Sequence, residues 1–174
     1  MISNQILQST IEGLKGIARI DLCVLDAEGK VLASIEKSAE VRAAAGDRAL
    51  LRAIHFVTEN VRVQKEVEAL KNDDFAEFLR VLKASGDSSY KFLQNVYTNH
   101  DVQHQNVSVA LAISETILGE NGACRVHGGG FAGTIQAFVP LGKVNEYKTK
   151  MENVFGENSC YQMKIRPVGG IEVL

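Results

Sequence analysis

Apolar side chains recur every three to four positions through the middle of the chain and give way to short β-prone runs near both ends and around one glycine cluster. From Asp47 to Lys71, Leu50, Leu51, Ile54, Val57, Val61 and Val67 keep helical spacing. Asn72, Asp73 and Asp74 break that helix, and Asp73 or Asp74 caps the next, predicted over Phe75–Ala84 with Phe75, Phe78, Leu79 and Leu82 as its inward stripe. Ser85–Ser89 reads as a turn and cap before a short helical stretch holding Phe92, Leu93 and Val96. A longer helix is expected over Val102–Leu118, with Val107, Leu111 and Ile117 facing inward. Strands are expected at Ala123–His127 and Thr134–Val139, the second ended by Pro140 and Gly142. A helix over Val144–Phe155 and strands at Cys160–Ile165 and Val168–Val173 follow.

The first forty residues have a different pattern. Ile6, Leu7, Ile11 and Leu14 predict a helix over Ser3–Lys15 with Ser3 as N-cap. Apolar runs at Arg19–Leu25 and Lys30–Ile35 flank Asp26-Ala27-Glu28-Gly29, the pattern of a β-hairpin. The whole order of elements predicts an α+β fold, an antiparallel sheet backed by helices with an extra N-terminal helix and hairpin.

At 174 residues the chain suffices for one well-buried core. Its net charge of −2 comes from dispersed charges with no basic stripe, which argues against nucleic acid. No apolar run approaches the ~20 residues that span a bilayer, and no basic segment precedes an apolar block at the N-terminus, so neither membrane insertion nor secretion is expected. Cys23, Cys124 and Cys160 are odd in number and widely spaced. They read as reduced cytosolic thiols, neither a disulfide frame nor a zinc site.

Chemistry concentrates in Arg125-Val126-His127-Gly128-Gly129-Gly130-Phe131-Ala132-Gly133-Thr134. Glycine admits positive φ and close approach of the backbone to a ligand, and successive N–H groups in such a turn form a concave nest for anions. The same glycines also suit a plain hairpin loop. No Gly-Lys-Ser/Thr follows and a strand comes next, so this is not a Walker-type loop.

With Ala123 and Cys124 before it, this stretch resembles the third conserved motif of the GHMP sugar and metabolite kinases. It looks closest to the galactokinase branch, where the motif runs small-x-Arg-apolar-Thr/Ser-Gly-Gly/Ala-Gly-Phe-Gly-Gly-Cys. His127 stands where Thr or Ser is usual, and Ala132 replaces a glycine. Upstream, Arg48-Ala49 with His55, Glu59-Asn60 and Arg62 is similar to a helix of the same family, and Ile165 to Val173 is similar to its last strand. The resemblance covers roughly residues 41–174, and implies the ferredoxin-like sandwich of the family's C-terminal domain. Residues 1–38 resemble instead the start of a bacterial sugar-diacid or PAS-like sensor domain, so that a chimeric joint near Lys37 to Val41 is one reading of the chain.

The resemblance implies phosphoryl transfer from ATP with Mg to galactose or a related sugar. Gly128, Gly129, Gly130, Phe131, Gly133 and Thr134 would support the phosphate loop of the other lobe, with Phe131 anchored in the core. The Arg-x-Asn-Leu-x-Gly-Glu-His and Gly-Leu-Ser-Ser-Ser-Ala motifs of the family's N-terminal half do not occur. No catalytic residue is therefore carried over, and the chain is expected to be inactive without that partner lobe. A non-catalytic sensor or interaction module, or a stable fragment without activity, are the alternatives. An exposed lobe face also makes a homo-oligomer an expectation.

Other constellations have plainer readings. His100 and His104 at i and i+4 lack the further ligands of a zinc site, and Asp101 reads as a cap beside them, so no metal is expected. His127 either donates to a phosphate or hydroxyl oxygen or orders the turn. Arg125 faces either the cleft or a structural carboxylate. Glu59 and Arg62 form an i,i+3 pair. Ser85, Ser88 and Ser89 have no His-Asp arrangement nearby in sequence, so nucleophilic catalysis finds no support.

Overall fold

A computed structural model describes residues 38–131 and 133–165. The expected helix at Ser3–Lys15, the hairpin at Arg19–Ile35 and the strand at Val168–Val173 lie outside the described residues. Within them the order is α1 (Ser38–Ala45), α2 (Asp47–Lys71), α3 (Phe75–Ser88), a π-helical turn (Ser89–Leu93), α4 (Asn106–Leu118), β1 (Ala123–Val126), β2 (Ile135–Phe138) and α5 (Val144–Phe155). The fold is α+β, mostly helical, with β1 and β2 as an antiparallel pair in the register Ala123 to Phe138 and Val126 to Ile135.

The hairpin has helices on both faces. Alternation sends Cys124, Val126, Ile135 and Ala137 to one side, where Val96, Ala110, Leu111, Leu118, Tyr147 and Met151 complete a core with α4 and α5. Ala123 and Phe138 turn the other way, onto Ala69 of α2 and Phe78, Leu79 and Leu82 of α3. Phe138 meets Phe78 edge to face at 5.3 Å. Gly86 lets α3 lie this close to β1, because a Cβ there would stand 3.1 Å from that of Arg125.

The helix at α2 has the predicted bounds, and α5 spans Val144–Phe155 as expected. Asp74 is the N-cap of α3 and accepts from the Glu77 N–H at 3.0 Å. Four expectations need correction. Ser85–Ser89 is not a turn: Ser85 and Ser88 are buried within α3, their hydroxyls satisfied by side chains from other elements, so the polar run does not end the helix. The helix expected from Val102 starts at Asn106. Asp101 folds back first, its Oδ1 accepting from the N–H groups of Gln103 and His104 at 3.1 and 3.2 Å. Cys160–Ile165 forms no strand, and Tyr161, Met163 and Ile165 are exposed. Phe75 is also exposed, and Val81 takes its place among the buried residues of α3.

Burial fixes the chemistry of two thiols. Cys124 is free, buried and pushed up to about 12, chiefly by desolvation and then by Glu115. Cys160 is also free and raised, again mainly by burial. Among the described residues no helix is long and apolar enough to cross a membrane.

Leu118, at 1% exposure, closes α4 against the hairpin core. Leu118→Ala should cost about 2–5 kcal/mol, read as a lower midpoint in urea unfolding with an unchanged m-value. A loss below about 1 kcal/mol would mean that the site collapses around the cavity.

Candidate functional site

The glycine-rich turn joins β1 to β2, with the His127 N–H donating to the Thr134 carbonyl at 3.1 Å as its closing bond. Its shape is imposed from outside the hairpin. Asn95, which follows the π-helical turn, donates from Nδ2 to the Gly129 carbonyl at 3.0 Å, and its own carbonyl accepts from the Phe131 N–H at 3.0 Å. Gly130, at φ 74°, lies so close that a Cβ would meet the Asn95 carbonyl oxygen at 2.3 Å and its amide carbon at 2.6 Å. Only glycine meets both demands. Gly128 and Gly133 also have positive φ, whereas Gly129 does not and has open space around it. Among the described residues no acceptor takes the N–H of Gly128, Gly129 or Gly130, a short run of successive donors.

Phe131 corrects its expected role. It is 64% exposed and at φ 57°, so its backbone, not its ring, holds the turn. His127 and Thr134 are likewise exposed at the mouth of the turn. The structure thus gathers Gly128, Gly129, Gly130, Phe131, Gly133, Thr134 and His127 in one loop.

Arg125 takes the second of its two readings, that of a structural partner. It points off the opposite face of β1 from Cys124, and its Nη1 donates to Glu59 Oε1 at 3.1 Å and to Ser85 Oγ at 2.5 Å. Arg62 Nε donates to Glu59 Oε2 at 2.7 Å, and the Ser85 hydroxyl donates to Glu59 Oε1. Burial works to raise the Glu59 pKa, but the hydrogen bonds from Ser85 and Arg62 and the charges of Arg62 and Arg125 outweigh it and hold the carboxyl below its ordinary range. Arg62 also donates to Ser88 Oγ at 2.7 Å, and that oxygen lies 3.0 Å from His55 Nδ1. Arginine can only donate, so the Ser88 hydroxyl proton is free to go to a neutral His55. Burial, the largest cause, lowers the His55 pKa against the opposing pull of Glu59.

A serine and a histidine therefore do meet, across 33 positions of sequence, where sequence order had shown no such pairing. Ser88 is buried and already accepts from Arg62, so the contact braces α2 against α3 and does not present a nucleophile. Asn95 is the residue that sequence reasoning missed. It follows Gln94 at the C-cap of the π-helical turn, and no local pattern marks a side chain whose partners lie some 34 positions downstream.

His100 and His104 precede α4 and do not share a helix face; His104 Nδ1 lies 2.6 Å from Asp101 Oδ2. Among the described residues no group of three or more His, Cys, Asp or Glu is placed to hold a metal ion.

Two outcomes follow from this geometry. Gly130→Ala should lower stability by about 1–3 kcal/mol, because it brings strain at positive φ and a clash with Asn95, while Gly129→Ala changes it by less than about 1 kcal/mol. Equal losses in denaturant unfolding would contradict the tie to Asn95. Since His55 has a folded pKa below its unfolded value of about 6.5, the unfolded chain binds its proton first as pH falls. His55 thus contributes a loss of stability that begins below about pH 6.5 and levels off below the folded pKa. Unfolding midpoints for His55→Gln should show a shallower fall over this window, and an unaltered slope would refute the assignment.

No protein-family model matches the chain. Among curated proteins it is 32% identical over 114 residues to a galactokinase of Actinobacillus pleuropneumoniae, covering 66% of this chain and 28% of that protein. It is 34% identical over 97 residues to a galactokinase of Haemophilus influenzae, covering 56% and 23% respectively. A galactokinase of Glaesserella parasuis is 32% identical over 132 residues, 76% of this chain and 31% of that protein. The chain thus spans less than a third of the length of the curated relatives it matches, and what it carries is a galactokinase-like segment.

Proposed function

We propose that this chain is the C-terminal lobe of an ATP-dependent sugar kinase, acting on galactose or a related sugar together with an N-terminal lobe. The observation that carries this reading is the glycine turn, held by Asn95 with the Gly128–Gly130 N–H groups unclaimed among the described residues, in a chain similar to galactokinases. A rigid backbone with free donors suits a phosphate oxygen, or the phosphate loop of a second lobe docking against it. Positioning and electrostatic stabilisation account for most of phosphoryl transfer, so such a turn contributes without a reacting side chain. His127, exposed beside the turn, is placed to donate to a phosphate or hydroxyl oxygen.

The turn fits ATP as an anion, while the described residues offer no carboxylate set for Mg. When bound, Mg-ATP would supply the transferable phosphoryl group and its charge-neutralising ion, with Mg held by phosphates and the other lobe. The residues of this chain would position the phosphates and exclude water. We place residues 41–174 in this kinase-like domain and residues 1–40 in an N-terminal helix-and-hairpin segment associated with it. The free thiols Cys124 and Cys160 support a reducing, cytoplasmic setting.

Calorimetric titration with Mg-ATP, with and without galactose, tests the proposal on this chain and on its mixture with the N-terminal half of a galactokinase. We expect sugar-strengthened nucleotide binding in the mixture only. The same strengthening by the chain alone would overturn its dependence on a second lobe, and no gain in the mixture would overturn the kinase reading.

A further inference from the structure

Helix α2 has a second apolar face that the other described residues leave uncovered. Its packed side carries His55, Arg62 and Ala69 against α3 and β1. About 100° around the helix axis, Phe56 is 59% and Leu70 51% exposed, and Val63 and Val67 between them are exposed too. Together with Ala49, Ala53 and Asn60, these residues occupy seven successive positions spaced alternately by four and three residues. That is the repeat of a coiled-coil seam, with Ala53, Asn60 and Val67 at the a positions and Ala49, Phe56, Val63 and Leu70 at d.

We propose that this seam joins two copies of the chain as a parallel, two-stranded coiled coil. Asn60 decides the occupant. It is exposed, in the centre of the stripe, and its Nδ2 bonds its own helix at the Phe56 carbonyl with a distance of 3.1 Å. An apolar partner laid over the stripe would bury that amide without a match. A second copy in parallel register brings the same amide opposite, and a single Asn at an a position is the device that specifies such a pair. Val67 at a with Leu70 at d also favours two strands. The packed faces lie about 100° from the seam, so a two-fold axis along the pair puts the two bodies on opposite sides. A net charge of −2 per chain opposes association only weakly. Three heptads sit at the short end for a coiled coil, so association is concentration-dependent.

Sedimentation and light scattering of the full chain, from submicromolar to submillimolar, should show the mass double from 19.0 kDa. Val63→Glu should keep it monomeric at unchanged helicity, and Asn60→Leu should strengthen association and add species above a dimer. If Val63→Glu does not fold, Asn60→Asp, which sets like charges opposite each other and leaves the isolated helix surface polar, must weaken the dimer by about tenfold or more. A chain that stays monomeric throughout overturns the proposal. So does a dimer indifferent to these variants, or a monomer that Val63→Glu destabilises, which would assign the face to another part of the same chain.

Discussion

The Glu59 carboxylate fixes how α2, α3 and β1 sit together. Its two oxygens receive Arg62 from its own helix, Ser85 from α3 and Arg125 from β1. Burying ions costs about what their attraction returns, so such a cluster adds little net stability. Its effect is on specificity: a register that left one guanidinium or the carboxylate unpaired inside would cost about 3–5 kcal/mol. Apolar contacts between Phe78, Leu79, Leu82 and Phe138 tolerate sliding far better than this cluster does. The hydrophobic layer supplies the driving force, and the polar layer selects one arrangement from it.

That selection propagates to the glycine turn. With Arg125 held to Glu59 and Ser85, alternation along β1 commits Cys124 and Val126 to the opposite core. The strand therefore enters the turn in one orientation, and Asn95 meets it from the end of the helical stretch that continues α3. Both anchors of the loop thus trace back to α3, one through β1 and one through the π-helical turn. The loop is thus held from outside the hairpin, through Asn95, which is how a flexible sequence becomes a fixed shape.

Periodicity made most of the regular elements legible. The spacing of Leu50, Ile54, Val57 and Val61 marks α2, and Pro140 and Gly142 mark the end of the strand before the helix at Val144–Phe155. The glycine cluster and the hairpin around it were equally plain. What sequence could not show is pairing at a distance. Ser85 and Ser88 have the composition of a turn, and become helix because Glu59, Arg62 and His55 arrive from more than 25 positions upstream to satisfy them. Asn95 carries no local signal at all. The resemblance implies a core anchor at Phe131, whereas in the fold the residue has positive φ beside Gly130 and its ring is exposed.

Helix α2 also shows why one apolar stripe is not a full account of a helix. Val67 belongs by spacing to the face read from sequence, yet in the fold it lines up with Phe56, Val63 and Leu70 on the other. Both faces share the 3.6-residue period, so a single periodicity cannot separate a core stripe from a docking stripe; only the position of α3 and β1 does. Once His55, Glu59 and Arg62 are fixed as the inward side, Asn60 is left in the middle of the other stripe. There its polarity would be an error in a core position, whereas in a self-paired seam it sets the register. The same helix thus turns one polar set inward to fix the fold and holds one polar residue outward to choose a partner.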